Sequence, residues 1–210
     1  MENSRKPLNP WVSMWTKPRA TMQQIIDENP DRLVILLAVV AGFSQALDQA
    51  SVDNRGDHME VPVIFIMSLV FGPVGGLIGL YLGGFLLSWT GNWIGGVASA
   101  RFIRSAIAWS NVPIIWAMLL WIPELLLFGE ELFTSATPSL EANPILATAM
   151  LGFGLIQVTV GVWTLVVFFK CLGQVQGFSA WKAVGNSLLA GLVIIIPVFV
   201  VAFAIGLVTG

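Results

Sequence analysis

The sequence predicts an all-α polytopic membrane protein, a bundle of five transmembrane helices preceded by a short amphipathic interfacial helix. Three observations lead there. The 210 residues are 56% hydrophobic and only 10% charged, whereas a soluble domain is about 25% charged. So few charges cannot cover a water-facing surface of this size, and lipid is the predicted solvent for most of the chain. The apolar residues gather in five continuous stretches, each long enough for the roughly 20 residues that cross a bilayer core of about 30 Å. Continuous runs of this length also exclude a β-barrel, whose strands alternate over about ten residues. Finally, the basic residues fall on alternate links between the stretches, as short cytoplasmic loops require.

Residues 1–32 read as a cytoplasmic segment, and residues 33–210 as the five-helix domain. In the first segment Pro18 suits an opening helical turn, where its missing N–H is not needed, with Thr16 as a candidate cap. Met22, Ile25 and Ile26 then recur on one side, and Asn29–Pro30 stops the pattern. A helix over Pro18–Asn29 is therefore expected along the inner membrane surface, its apolar side in the lipid interface. Trp11 and Trp15 would anchor its approach. These thirty residues lack a long apolar core, so an uncleaved first span is the expected insertion signal.

The five spans are placed at Leu33–Ala50, Val61–Gly91, Arg104–Phe128, Pro144–Phe169 and Ala183–Val208. The second is longer than one crossing needs, and charge decides how to read it. One long helix, tilted or kinked with Pro73 as the kink, leaves Arg5, Lys6, Lys17, Arg19, Arg32, Arg101, Arg104, Lys170 and Lys182 inside and Arg55 alone outside, which is nine of the ten basic residues on one side. Splitting it would send four of those nine across. The N-terminus is thus expected inside and Gly210 outside. The acidic residues Asp53, Asp57, Glu60, Glu130, Glu131 and Glu141 all fall in the two outer loops.

Gly72, Gly75, Gly76, Gly79 and Gly83 form small-residue pairs four apart, the spacing that lets helix backbones approach closely. They are read as a packing ridge toward a neighbouring span or a second copy, with a mid-membrane hinge as the alternative. Polar residues within spans are the functional candidates. Gln45, Asp48 and Gln49 share one face of the first span, Asn111 precedes Pro113 in the third, and Gln157 sits centrally in the fourth. These five make a candidate intramembrane polar pathway. Asp48, Gln49 and Glu124 are placed near the outer boundary, in reach of water, and Asn186 one turn in from the inner surface.

Enzyme chemistry is not indicated. His58 is the sole histidine and Cys171 the sole cysteine, so no disulfide forms within the chain. No metal cluster, nucleophile–base pair or cofactor motif is present, and "FGPVGG" lacks the lysine of a phosphate loop. Cys171, beside Lys170, is read as a buried thiol, with acylation as the alternative. A net charge of −2 gives no reason to expect nucleic acid. Membrane lipids, an unidentified protein and a second copy of the chain are the expected partners.

Three stretches carry a family resemblance. "NPWVSMWTKPRATMQQII", "IGGVASARFIRSAIAWSNVP" and "GQVQGFSAWKAV", the last with Ser179 as a helix cap, resemble the opening, the basic inner loop and the loop before the last span of the bacterial branch of the Yip family (Ypt/Rab-interacting proteins). The resemblance implies a five-span integral membrane protein of the bacterial cytoplasmic membrane. Eukaryotic members of that family are traffic partners of Rab GTPases; the short polar start here departs from their long cytosolic arm. A non-enzymatic scaffold that binds a protein or lipid is the leading expectation. The alternative is a small transporter, channel or lipid-moving protein that uses the polar faces of the first, third and fourth spans.

Overall fold

The computed structural model describes residues 7–209, and Arg5, Lys6 and Gly210 lie outside them. Two short helices come first, α1 (Pro10–Thr16) and α2 (Pro18–Glu28). The spans follow as α3 (Val34–Val52), α4 (Val61–Trp93), a segmented third crossing, α9 (Pro144–Gln176) and α10 (Ala180–Thr209). The third crossing is built from α5 (Ala100–Ser110), α6 (Val112–Ala117) and α7 (Trp121–Phe128). A short helix, α8 (Pro138–Ala142), leads into α9. Among the described residues five helical stretches are long and apolar enough to cross a membrane. The predicted fold class is the one observed.

The third crossing is broken because Pro113 supplies no N–H and disfavours helical geometry just before it. Asn111 ends α5 there, and a 3₁₀ turn at Met118–Leu120 joins α6 to α7. By contrast α4 runs through Pro73 as one helix of 33 residues, about 50 Å long. Both α4 and α9 therefore exceed the bilayer core of about 30 Å. The fourth span also runs seven residues past the expected end at Phe169, reaching Gln176 before Gly177 takes the left-handed φ of 74° that stops it.

Contacts between links fix which ends share a side. Arg101 pairs with Asp31, Nε to Oδ2 at 3.0 Å, and Arg19 donates to the Phe178 carbonyl at 3.2 Å. The Arg101 guanidinium holds the Asp31 carboxyl below the ordinary carboxylate range. These residues gather at one end of the bundle, called here the basic end. At the other, acidic end, Asp57 accepts from the Ser135 N–H at 3.0 Å, and Ser51 donates to the Leu132 carbonyl. Arg32 and Arg101 can share an end only if α4 crosses once, so the second stretch is a single span.

The opening stretch does more than the sequence suggests. Residues before Pro18 form a helix of their own, α1, capped by the Asn9 side chain, which accepts from the Trp11 N–H at 3.1 Å. Lys17, not Thr16, is the N-cap of α2 and gives no side-chain cap bond. The expectation that Met22, Ile25 and Ile26 lie in the lipid interface is corrected here. Met22 is 0% and Ile25 3% exposed, buried with Met14, Leu37, Trp109, Val167 and Cys171 in one core cluster. Pro18 is buried as well, and Ile26 is partly covered. The reason is physical: α2 packs on α5 and on the basic end of α9, which offers an apolar surface that lipid would otherwise have to cover. Trp116 and Trp163 hold α1 by donating to the carbonyls of Trp11 and Trp15 at 3.2 and 3.1 Å.

A second core cluster at the acidic end joins Leu47, Ile64, Trp121, Phe128 and Phe133. A third binds α4, α5, α9 and the first half of α10. Beyond Val193, every α10 residue whose burial is described is exposed, including Ile195, Phe199 and Phe203.

Candidate functional site

The tightest helix contact builds the wall on which the polar residues stand. Helices α3 and α4 meet at Gly42, Gly72 and Gly76. A Cβ on Gly72 would lie 2.7 Å from the Gly42 carbonyl oxygen, and one on Gly76 would strike the Ala38 carbonyl. The glycines expected to pack are thus divided between contact and open space. Gly72 and Gly76 pack, and Gly83 would just meet Ile107 at 3.4 Å, but Gly75 and Gly79 have nothing within 4 Å. The register is set by α3, whose small residues Ala38 and Gly42 are four apart and match only the 72/76 pair.

Because Gly75 and Gly79 have no side chains to fill the space beside that seam, open cavities run along it, and Gln45, Asp48, Gln49 and Gln157 are exposed, not enclosed. One of about 400 Å³ is lined by Gln45, Asp48, Asn111, Gly75 and Gly79. It shares Gln45, Gly42, Gly75 and Gly76 with a larger one of about 540 Å³ that reaches Gln49 and Arg55 at the acidic end. It shares Asp48 and Ile114 with a smaller one of about 130 Å³, lined by Ser44, Trp121 and Gln157. All five sequence-proposed polar residues therefore line three cavities with common walls, and the interfacial-helix residues Pro18, Met22, Ile25 and Ile26 line none of them.

The polar groups are held unequally. Asn111 Nδ2 donates to the Ile107 carbonyl at 3.0 Å, which fixes its side chain at the α5–α6 break. Gln49 donates to Asp53 at 2.7 Å. Gln45 makes no side-chain hydrogen bond among the described residues, so its amide is free for whatever enters the cavity. Toward the basic end the cavities stop at Ala38, Leu80 and Ile107, and the cluster of Met14, Leu37, Trp109 and Val112 lies beyond.

Two polar features were misplaced or missed from sequence. Glu124 is not in the water-reached boundary; it is 3% exposed. Its Oε1 accepts from Gln157 Nε2 at 2.7 Å, while its Oε2 is buried without a partner. Nearby, the 3₁₀ turn Gly129–Phe133 lays Phe133 on Trp121 at a ring separation of 5.5 Å. The second feature is a clasp at the basic end. Gln176 Nε2 and Asn186 Nδ2 both donate to the Leu87 carbonyl at 3.0 Å. Gln176 Oε1 accepts from the Ala98 N–H at 3.1 Å, and Asn186 Oδ1 from Thr90 at 2.7 Å. Every one of these groups is buried and paired, so the clasp is structural. Cys171 is fully buried against Met14, Sγ to Sδ 3.6 Å, and Ser179 caps α10 as expected, accepting from the Lys182 N–H at 3.2 Å. Among the described residues no three His, Cys, Asp or Glu side chains gather as a metal cluster.

No curated protein and no solved structure matches the chain. The Yip1 domain family model matches residues 12–202, from within α1 to the far half of α10 and across all five spans. A match over nearly the whole chain, on a five-span helical membrane fold, places this protein in the Yip1 domain family.

Proposed function

We propose that the chain passes a small polar solute or ion across the bilayer along the polar face of α3. One observation carries this reading. Gln45, Asp48, Gln49, Asn111 and Gln157 come from three separate spans, yet they line adjoining cavities. Polar groups inside a membrane are costly unless they pair with one another or serve a pathway, and Gln45 has no partner to justify it as packing. In this reading the solute enters at the acidic end past Gln49 and Arg55. It meets the amides of Gln45 and Asn111, and it leaves only when α3 and α5 separate at the Leu37–Leu80–Trp109 closure. No catalytic role is part of the proposal.

A bacterial cytoplasmic membrane is the proposed setting, with the basic end in the cytoplasm. Lys17, Arg19, Arg32, Arg101, Arg104, Lys170 and Lys182 lie toward that end and Arg55 toward the other, which agrees with the charge rule for short loops. The scaffold reading also has an observation in its favour. Past Val193 the α10 residues whose burial is described are exposed, and this half offers apolar surface to lipid, a second copy or another membrane protein.

Osmotic swelling separates the two. Liposomes carrying the purified protein should swell faster than empty ones in glycerol, urea or glycine. Gln45→Leu and Asn111→Leu, which fill the 400 Å³ cavity, should return the rate toward that of empty liposomes. Equal rates with and without protein for every solute would defeat the transport reading and leave the scaffold.

A further inference from the structure

We propose that the open groove between α1 and α9 seats an anionic phospholipid, with an acyl chain along α9 and the phosphate at Lys170 and Lys17. The inference is independent of the transport reading. The groove has a volume of about 420 Å³, within the roughly 300–1,000 Å³ of small-ligand sites. Trp15, Val158, Thr159, Val160, Val162 and Trp163 line it. Trp163 Nε1 donates to the Trp15 carbonyl at 3.1 Å, which ties α1 to α9 beside the groove. The Thr159 hydroxyl donates to the Leu155 carbonyl at 2.7 Å. With that hydroxyl and the Trp163 N–H both engaged, α9 presents only apolar surface to the groove, which suits a hydrocarbon chain.

Charge at the rim selects the ligand. Lys170 Nζ lies 5.8 Å from the centre of the Trp163 ring, a distance at which an indole face attracts a cation. Lys17 is exposed and follows Trp15 by two residues. The ion pairs among the described residues engage Arg32, Arg55 and Arg101 and leave Lys17 and Lys170 without a carboxylate. Depth agrees with this placement. Trp163 stands about 29 Å along α9 from Pro144 at 1.5 Å per residue, and a hydrocarbon core is about 30 Å thick. On α4, Tyr81 stands about 30 Å from Val61 by the same measure, and the Arg104 guanidinium lies 4.9 Å from its ring centre. Two helices of 33 residues thus bring an aromatic ring and a cation to the same depth, where headgroups begin. A headgroup of net negative charge complements that rim, whereas a choline headgroup sets its own cation against Lys170.

The test uses the full chain in an uncharged detergent, with phosphatidylglycerol, phosphatidylcholine of the same acyl chains, or glycerol 3-phosphate added. Native mass spectrometry reads bound lipid, and thermal unfolding reads its effect. Phosphatidylglycerol should bind saturably, raise the melting temperature and bind at least about fivefold tighter than phosphatidylcholine, the scale on which one basic residue acts beside an anionic headgroup. Glycerol 3-phosphate should neither bind nor compete. Lys170→Gln should weaken phosphatidylglycerol about fivefold and leave phosphatidylcholine unchanged. Val158→Trp, which fills the groove from an exposed position, should weaken both lipids, and Lys182→Gln, at the same end but outside the groove lining, should weaken neither. Should Lys170→Gln fail to fold, Lys17→Gln and Val158→Trp, both at exposed positions, carry the test. Equal affinity of the unmodified protein for the two lipids would overturn the proposal. So would a loss in Lys182→Gln as large as in Lys170→Gln, which would mean diffuse surface charge, or competition by glycerol 3-phosphate, which would mean a site for free phosphate. A dimer that Val158→Trp dissolves, with no lipid preference, would put a second copy in the groove and overturn it too.

Discussion

Replacing Gly42 by alanine tests the α3–α4 seam with a single methyl group. The new Cβ would sit 2.9 Å from the Gly76 Cα and closer still to the Gly72 carbonyl oxygen, where carbon atoms prefer about 3.5–4.0 Å. Both obstacles are backbone, so no side chain can swing away, and the helices must part by roughly 0.6–1 Å to restore an ordinary contact. Overpacking of this kind destabilises by about 1–3 kcal/mol, offset by up to about 1 kcal/mol from the better helix propensity of alanine. Gly79→Ala keeps only the favourable part, because nothing lies within 4 Å of its Cβ. The propensity gain is common to both, so Gly79→Ala should exceed Gly42→Ala in stability by the overpacking term, about 1–3 kcal/mol, at about 2–4 °C of melting temperature per kcal/mol. Tryptophan fluorescence during thermal unfolding in detergent reads this directly. Equal melting of the two variants, or a lower melting temperature for Gly79→Ala, would refute the seam.

Three further outcomes follow from burial. Met22→Ala and Ile25→Ala should each lower stability by about 2–5 kcal/mol, as buried large-to-small changes do, and Ile26→Ala by clearly less; equal effects in denaturant titration would mean that α2 rests on lipid and not on protein. Cys171 should resist maleimide in the native protein and react once it is unfolded in dodecyl sulfate, and fast native labelling would show that α1 does not cover it. Gln176→Leu removes the bonds to Ala98 and Leu87, so hydrogen exchange at Val97 and Ala98 should quicken while that at Ser51 and Leu132 stays unchanged; unaltered exchange at Ala98 would remove the clasp from the fold.

The spans were legible because bilayer thickness imposes a length that composition reveals, and the grouping of alternate links at one end was legible from their basic residues, Arg32 and Arg101 among them. The Gln45–Asp48–Gln49 face was also legible, since helical spacing alone puts these residues together. What α2 rests on was not, because one apolar stripe serves lipid and protein equally well. Met22 gives no sign that α9 will extend to meet it. The glycine register was ambiguous for a similar reason. Pairs at 72/76, 75/79 and 79/83 look alike until Ala38 and Gly42 on the facing helix choose among them. Glu124 sits at the end of an apolar stretch and reads as wet, yet it is buried and bonded to Gln157 of a distant span, a pairing that local sequence does not reveal.

Cysteine accessibility tests the polar cavities most directly. In a Cys171→Ala background, single cysteines at positions 45 and 111 line the 400 Å³ cavity, one at 37 lies in the apolar closure, and one at 130 marks the acidic loop. A membrane-impermeant thiol reagent is added to the side from which position 130 reacts. Labelling at 45 and 111 but not at 37 is expected, because water should reach the polar face of α3 and stop at Leu37. Position 130 labelled with 45 and 111 both silent would contradict it, leaving the polar residues as packing between helices.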